Sequence, residues 1–110
     1  MGSNAKPQPR WQRIAVTGSS MLPTLCAGDY LLLRRTKRFK PGQVVLLEDD
    51  KFRLVIKRLS AQTATGWWVL GDNPAESIDS RTYGEVNSAQ LKAVAILRYW
   101  PKPKTIKAQL

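Results

Sequence analysis

The apolar residues of this chain occur in short runs, and turn-forming residues recur between them about every 8 to 12 residues. The longest candidate runs, Tyr30 to Leu33 and Val44 to Leu47, have the length of strands. A short helical turn is predicted near Asn87 to Leu91, with an asparagine or serine as its cap. This pattern is typical of an all-β, mainly antiparallel domain, a barrel or a sandwich. The predicted strands are 14–16, 29–35, 43–47, 52–59, 67–70 and 93–100.

A chain of 110 residues is large enough for one hydrophobic core and too small for two domains. No apolar run approaches the roughly 18 residues of a membrane helix. The first 13 residues are polar and lack the apolar segment of a secretory signal. We therefore predict a flexible N-terminal arm (1–13), one folded domain (14–100), a basic C-terminal tail (101–110) and a cytoplasmic location.

The chain is strongly basic, with 18 lysine and arginine residues against 8 acidic ones. Such a balance is compatible with nucleic acid, anionic lipid or an acidic peptide as partner, but we favour the simpler explanation of solubility and disordered basic tails. No helix-turn-helix or RNP-type motif is present, so no nucleic-acid partner is expected. The single cysteine, Cys26, excludes an intrachain disulfide and is expected to be a small buried side chain.

One serine, Ser20, lies in a segment that is typical of a presented nucleophile, G-S-S-M-L-P-T-L over residues 18–25. The chain contains no histidine, so a Ser-His-Asp triad cannot be formed. A serine nucleophile here needs a lysine as its base, and Lys57 in the apolar run V-I-K-R-L is the candidate. With no histidine, one cysteine and scattered acidic residues, neither a metal site nor a cofactor is expected.

A lysine acts as a base only when it is neutral, and a solvated lysine with a pKa of about 10.4 is almost fully protonated at neutral pH. Burial disfavours the charged form and lowers a lysine pKa by up to several units. Val55, Ile56 and Leu59 would supply apolar surroundings for Lys57. Because neighbouring residues of a strand point to opposite faces, Arg58 is expected to stay in solvent.

A third segment, G-D-N-P-A-E-S-I-D-S-R over residues 71–81, completes a set of motifs in a specific order. Together with S-M-L-P-T-L and I-K-R, it resembles bacterial signal peptidase I and its relatives, the serine–lysine peptidases. The resemblance extends from about Ile14 to Trp100. It implies a nucleophilic Ser20, Lys57 as general base, and Ser77 and Asp79 as the residues that orient the lysine.

The same resemblance implies supporting roles for other residues. It assigns the oxyanion hole to the backbone amides of Ser20 and Gly18, because Gly18 has no side chain to donate. Met21 would lie beside the substrate groove. Residues with a structural role would be Pro23, Gly71, Asp72 and Arg81, with Arg81 paired to Asp79. The aspartates after glycine, Asp29 and Asp72, are expected to cap backbone amides in turns.

The family resemblance also implies a fold and a substrate class. Only 13 residues separate Arg58 from Asp72, so the second β-domain that many relatives carry is absent and the catalytic β-core remains. We expect a soluble endopeptidase that removes an N-terminal leader from a protein precursor, with the nickel superoxide dismutase precursor as the specific candidate.

Other readings of the sequence remain open. One is a membrane-bound signal peptidase I, shortened here, that cleaves secretory signal peptides and would be membrane-anchored in its full length. Another is a non-catalytic peptide-binding module of the same fold. A self-cleaving repressor is disfavoured, because the chain's Ala-Gly pair, Ala27-Gly28, follows Ser20 instead of preceding it.

Overall fold

The computed structural model describes residues 9–109, in which seven strands form one antiparallel β-sheet. The strands are β1 (Trp11–Ala15), β2 (Tyr30–Arg35), β3 (Val44–Glu48), β4 (Leu54–Gln62), β5 (Trp67–Leu70), β6 (Leu91–Trp100) and β7 (Lys104–Thr105). Their order in the sheet is β1-β2-β6-β3-β4-β5, with β7 paired to β6. Helical structure within the described residues is limited to one short helix, α1 (Ser80–Tyr83), and the 3-10 turns Pro74–Glu76 and Ser88–Gln90. The all-β prediction is confirmed.

The central strand β3 is buried on both faces, which explains its uninterrupted apolar run V-V-L-L. Its alternate residues enter two separate hydrophobic clusters. The first contains Val16, Met21, Leu25, Leu31, Leu33, Val44, Leu46, Ile56, Ala93 and Ala95. The second contains Val45, Leu47, Leu59, Trp67, Val69, Val86, Leu91 and Val94. The sheet therefore carries a hydrophobic core on each side of β3. Both cores pack against β3, which pairs with the strand that contains Lys57, β4.

The folded part extends beyond the predicted boundaries at both ends. β1 begins at Trp11 instead of Ile14, and Trp11 lies opposite Arg34 of β2. At the other end, β7 pairs with Leu97 and Arg98, and the half-buried Ile106 packs against the first cluster. The strand pairing of residues 11–13 and 104–105 was not evident from their polar composition. No helix within residues 9–109 is both long and apolar enough to cross a membrane.

Cys26 is exposed, which corrects the expectation of a buried side chain. It lies in the surface turn before β2, where the Asp29 carboxylate accepts a hydrogen bond from its backbone N–H at 3.0 Å. The Cys26 thiol donates to the same carboxylate at 3.4 Å. This hydrogen bond, more than burial, raises the pKa of the Cys26 thiol. Asp29 thus caps a backbone amide as predicted, and it also pairs with Arg98.

Candidate active site

Ser20 and Lys57 line the same groove, an open cleft of about 650 Å³. Ser20 belongs to the turn between β1 and β2, and Lys57 to the first half of β4. One side of the groove is formed by the tip of the β3–β4 hairpin and the other by the segment 76–86. A cleft of this size is within the range of small-molecule and peptide sites. The fold thereby brings together two residues that lie 37 positions apart in the sequence.

The turn that carries Ser20 is held by short-range backbone bonds. The N–H of Leu22 donates to the carbonyl of Ser19 at 3.2 Å, and that of Leu25 donates to Met21 at 2.9 Å. Gly18 has a φ of +74°, a conformation that L-residues with side chains rarely adopt. A glycine two residues before Ser20 therefore permits the sharp entry into this turn. Pro23 follows within it, after a cis peptide bond.

Lys57 is nearly enclosed, with 5% of its surface exposed. Its ammonium nitrogen Nζ lies 3.3 Å from the hydroxyl oxygen of Ser77, to which it donates a hydrogen bond. Burial is the main cause that lowers the pKa of Lys57 from its ordinary value. The sequence led us to expect this effect from the apolar neighbours of Lys57, and Ile56 and Leu59 are indeed core residues.

Asp79 lies behind Ser77 and is completely buried. Its carboxylate accepts hydrogen bonds from the Ser77 hydroxyl at 2.7 Å and from the Gly71 N–H at 2.8 Å. Arg81 donates to it through Nε at 3.0 Å and Nη2 at 2.5 Å. Burial opposes ionisation, but these hydrogen bonds outweigh it and hold the pKa of Asp79 well below its ordinary value. Asp79 is therefore a carboxylate at neutral pH.

Two charges of opposite sign act on Lys57 from this cluster. The negative charge of Asp79 raises the pKa of Lys57, and the positive charge of Arg81 lowers it. Since Arg81 is bound directly to Asp79, the pair acts on Lys57 with little net charge. Burial then decides the outcome, and the pKa of Lys57 falls. The ion pair of Asp79 and Arg81 thus affects the pKa of Lys57, in addition to holding the loop together.

The segment Gly71 to Asn73 contacts the serine turn directly, through hydrogen bonds that the motifs did not predict. The Asn73 backbone N–H donates to the carbonyl of Ser20 at 2.8 Å, and its side-chain Nδ2 donates to the carbonyl of Ser19 at 3.0 Å. A Cβ on Gly71 would lie 2.7 Å from the Ser20 carbonyl and would also overlap the Ser77 side chain. The sequence shows the G-D-N triplet, but it does not show that the triplet contacts the serine turn.

Asp72 and Arg58 depart from the predictions. Asp72 caps no backbone amide among residues 9–109; it accepts from the Thr24 hydroxyl at 2.5 Å and from Arg58 Nε and Nη2 at 2.8 and 2.7 Å. The Arg58 side chain is only 12% exposed and also donates to the carbonyl of Gly42 at 2.7 Å. Arg58 does point away from Lys57, as expected. Asp72 and Gly42 lie against its side chain there, so Arg58 forms hydrogen bonds within the protein instead of facing solvent.

Met21 and Tyr83 occupy places that the sequence did not predict. Met21 is 2% exposed and packs in the first hydrophobic cluster, so the structure places it in the core and not at the groove surface. Tyr83, from α1, lines the groove together with Ile78 and Thr17. Burial, followed by the charges of Asp79, Asp49 and Asp50, raises the pKa of Tyr83 to about 12. Its hydroxyl therefore remains protonated and can donate a hydrogen bond into the groove.

Potential metal ligands do not gather in this site. Within residues 9–109 there is no group of three or more histidine, cysteine, aspartate or glutamate side chains placed to hold an ion. The polar groups around the groove are instead a hydroxyl, an amine with a lowered pKa, and a carboxylate one hydroxyl away from it. This set of groups fits general-base activation of a serine.

Comparison with known proteins places the chain in a peptidase family. Residues 5–96 match the profile of the Peptidase S24-like family, and the chain belongs to that family. The mitochondrial inner membrane protease subunit 1 of Schizosaccharomyces pombe is 53% identical over an alignment that covers 79% of this chain and 72% of the relative. The mitochondrial ATP-independent inner membrane protease subunit 1a of Arabidopsis thaliana is 34% identical, covering 78% of this chain and 68% of the relative.

Family and relatives confirm the coarser part of the functional prediction. The chain is a hydrolase of a signal-peptidase-like protease class. The names of these two relatives do not refer to superoxide dismutase, and they place those relatives at a mitochondrial membrane instead of the cytoplasm.

Proposed function

We propose that this protein is a serine endopeptidase that removes an N-terminal leader from a protein precursor, with Ser20 as nucleophile and Lys57 as general base. One observation carries the proposal. A lysine that is only 5% exposed, and whose pKa is lowered mainly by burial, lines the same groove as a serine in a turn that follows Gly18. Burial of a lysine costs stability, so a buried lysine that lines a groove is a candidate for a function that needs the neutral amine.

The hydrogen bonds around Lys57 support its role as a base. The Ser77 hydroxyl donates its proton to Asp79, so its oxygen is available to accept an N–H of Lys57. A neutral amine held in this way keeps its lone pair free to take the proton of the Ser20 hydroxyl. Ser20 Oγ then forms a bond with the scissile carbonyl carbon, and the resulting ammonium protonates the departing amine. Water hydrolyses the ester in the second half of the reaction by the same route.

The oxyanion of the tetrahedral intermediate requires donors that are in place before the reaction. We assign this role to the backbone N–H groups of Ser20 and Gly18. The turn at Ser20 is fixed from one side by its own backbone bonds and from the other by Asn73. A preorganised donor of this kind contributes about 3 kcal/mol to transition-state stabilisation.

The edge of β4 suits an extended peptide. β5 pairs with β4 from Arg58 to Gln62, and among the described strands none pairs with that side of residues 54–57. This unpaired stretch ends at Lys57 and lies along the groove. An extended leader can add there as a further strand, with main-chain hydrogen bonds that place its scissile bond beside the lysine.

The proposal has two versions, which differ in the precursor that is cleaved. In the first version, the substrate is the nickel superoxide dismutase precursor and is cleaved in the cytoplasm. This version rests on the resemblance in size and motifs to small soluble members of the signal peptidase group. The names of the two relatives instead favour a precursor at a membrane, as for an anchored signal peptidase. Both versions use the same residues and the same chemistry, so one experiment addresses both.

The test is to incubate the purified protein with each precursor, the soluble one in buffer and a membrane-anchored one in detergent, and to read new N-termini by mass spectrometry. Ser20→Ala and Lys57→Met should each abolish cleavage and leave the fold intact. Ser19→Ala and Lys92→Met, which alter a serine of the same turn and a lysine of another strand, are the matched controls and should keep activity. The double variant should be no worse than either single one, because the two residues act as a unit.

Retention of full activity in Lys57→Met would refute the lysine base. If the intact protein binds a leader peptide but cleaves neither precursor, the chain is a peptide-binding module. Cleavage of only the anchored precursor would replace the nickel superoxide dismutase assignment with that of a membrane-associated signal peptidase.

A further inference from the structure

The C-terminal segment, residues 104–109, lies across the face of the sheet that carries the first hydrophobic cluster. Its first two residues pair with β6, and the half-buried Ile106 packs against that cluster. The N–H of Ile106 donates to the carbonyl of Ile96 at 2.9 Å, and the N–H of Gln109 donates to the carbonyl of Gly42 at 2.9 Å. A Cβ on Gly42 would lie 2.9 Å from the backbone nitrogen of Gln109. The C-terminal segment is therefore packed tightly against the sheet.

A small pocket of about 50 Å³ remains between the C-terminal segment and the rest of the protein. Among the described residues that line it, four are cationic and none is acidic. The cations are Arg58 and Arg98 from the sheet and Lys104 and Lys107 from the C-terminal segment. Two threonines, Thr24 and Thr105, also line the pocket. A lining of this composition favours an anion.

Both arginines project from the face of the sheet that the C-terminal segment covers. Residues that lie opposite each other in an antiparallel pair project from the same face. Arg58 lies opposite Val44, and Arg98 lies opposite Leu31. Val44 and Leu31 belong to the first hydrophobic cluster. The pocket therefore lies at the border of that cluster, beneath the C-terminal segment.

The two arginines are held in place but keep hydrogen-bond donors for a ligand. Arg58 is paired with Asp72 and Arg98 with Asp29, and the arginine side chains are only 12% and 20% exposed. Within residues 9–109, Arg58 donates three hydrogen bonds and Arg98 donates two. A guanidinium group has five N–H donors. Each arginine thus presents a fixed, planar group with donors that the surrounding protein does not use.

The two lysines add positive charge that the described protein does not neutralise. Asp72 and Asp29 offset the charges of the arginines, but neither Lys104 nor Lys107 forms an ion pair within residues 9–109. The pocket therefore keeps the positive charge of its two lysines. A ligand that carries negative charge would supply the missing partner.

We propose that this pocket binds a single tetrahedral oxyanion, inorganic phosphate or the phosphate group of a small ester. Guanidinium groups match the geometry of such oxygens, and lysine adds a compact charge with three donors. A cavity needs about 10–15 Å³ to hold one water, so a pocket of 50 Å³ accommodates a group of a few heavy atoms. It is far smaller than the roughly 300 Å³ or more of pockets that enclose larger ligands.

A ligand in this pocket also contacts the turn that carries Ser20. Leu25 lines the pocket and belongs to that turn, where its N–H donates to the carbonyl of Met21 at 2.9 Å. Arg58 holds Asp72, which accepts a hydrogen bond from the Thr24 hydroxyl at 2.5 Å. A bound oxyanion therefore joins the C-terminal segment to the serine turn and stabilises both.

Titration with sodium phosphate, followed by calorimetry at an ionic strength held constant with sodium chloride, tests the binding. We expect saturable binding of phosphate. Lys104→Gln/Lys107→Gln should weaken it at least about tenfold, because each lysine contributes a hydrogen bond to a charged group. Lys37→Gln/Lys102→Gln, the same charge change at exposed lysines outside the pocket, should bind phosphate as the unchanged protein does. Circular dichroism checks that both double variants fold.

A parallel titration with glycerol 3-phosphate identifies the source of the phosphate group. Binding of free phosphate with exclusion of the ester would assign the pocket to the inorganic anion. Tighter binding of the ester would assign it to a phosphorylated small molecule. Each result supports an oxyanion site, provided that the Lys104→Gln/Lys107→Gln variant loses the binding.

Amide hydrogen exchange tests the link to the serine turn. With phosphate bound, the N–H groups of Ile106, Gln109 and Leu25 should exchange more slowly, because the ligand reduces local opening of the segments that hold it. The N–H of Phe52, which donates to Asp49 in the β3–β4 hairpin, should exchange at an unchanged rate.

Three results would overturn the proposal. Heat changes that do not saturate with phosphate would show that no site exists. Equal weakening in the two double variants would show attraction by net charge without a defined pocket. Phosphate binding that leaves the exchange of Leu25 unchanged would refute the link to the serine turn. None of these measurements uses cleavage, so their outcome is independent of the proposed catalytic residues.

Discussion

The state of Lys57 depends on three neighbours that the sequence places up to 24 residues away. Burial lowers the pKa of Lys57, its amine donates a hydrogen bond to Ser77, and Arg81 offsets the charge of Asp79. Without Arg81, the charge of Asp79 would raise the pKa of Lys57 unopposed. Arg81 therefore helps to keep the pKa of Lys57 low.

Arg81→Met should move the pH dependence of cleavage towards higher pH. The variant leaves the charge of Asp79 uncompensated, which raises the pKa of Lys57, so a larger fraction of the base is protonated at a given pH. Measurement of kcat/KM between about pH 6 and 10 checks this. The rate at high pH should approach that of the intact protein if the variant folds. An unshifted profile would show that Arg81 has no electrostatic effect on the lysine.

The motifs predicted which residue types meet at the site, but not every contact. Ser20, Lys57, Ser77 and Asp79 followed from motif order and from the absence of histidine. The burial of Met21 and the bonding of Arg58 did not, because each depends on a segment that folds over it from elsewhere in the chain. Local sequence carries the chemistry of a side chain, and tertiary packing decides its exposure.

Among the elements, the segment Gly71 to Asn73 acts as a clamp on the serine turn. It joins β5 to the loop that contains Ser77, and it reaches the turn through the Asn73 bonds and the Asp72–Thr24 bond. The turn of the proposed nucleophile and the loop that contains Ser77 are thus held by one short segment.

Asn73→Ala should lower kcat by about tenfold or more and leave the pH dependence of cleavage unchanged. The variant removes the bond to the Ser19 carbonyl and lets Ser20 move, and small displacements of a reacting group reduce rates strongly. Lys57 keeps its surroundings, so its pKa stays as it was. Steady-state kinetics over a pH range measures both quantities. A normal kcat would show that the remaining bonds suffice to hold the turn.

Strand positions were predictable to within about three residues, since they follow from apolar runs and turn residues. β5 was predicted with its observed bounds, and the Ser88–Gln90 turn begins after the predicted asparagine cap. α1 and β7 were missed. Both consist of polar residues that adopt their structure through partners, an Asp79 cap for α1 and the edge of β6 for β7.

For the whole molecule, net charge alone gave a misleading picture of the groove. A value of +10 was compatible with an acidic peptide as partner, yet four acidic and three basic side chains line the groove. The six basic residues of strands β1, β2, β6 and β7 lie outside the groove lining. Composition cannot report such a separation, because it depends on which strands become neighbours.

The whole fold should lose stability in acid. Burial raises the pKa values of Asp29, Asp72 and Asp79, but hydrogen bonds from backbone N–H, arginine and hydroxyl groups outweigh it and lower all three. Their stabilisation is fully present above the pKa of an unfolded aspartate, about 4, and is lost as the pH falls through the lowered folded values. The free energy of unfolding in urea should therefore change little between about pH 5 and 7 and fall below about pH 4. A stability that is constant down to about pH 2 would contradict these pairings.

The most direct test of the central claim is the pKa of Lys57 itself. In protein labelled with ¹³C at the lysine Cε, the Lys57 signal is assigned by its loss in Lys57→Met, and all lysines are followed as pH increases. We expect Lys57 to lose its proton at a clearly lower pH than the solvent-exposed lysines, and at a higher pH in Arg81→Met than in the unchanged protein. If Lys57 titrates together with the exposed lysines, it is protonated at neutral pH and cannot be the base for Ser20.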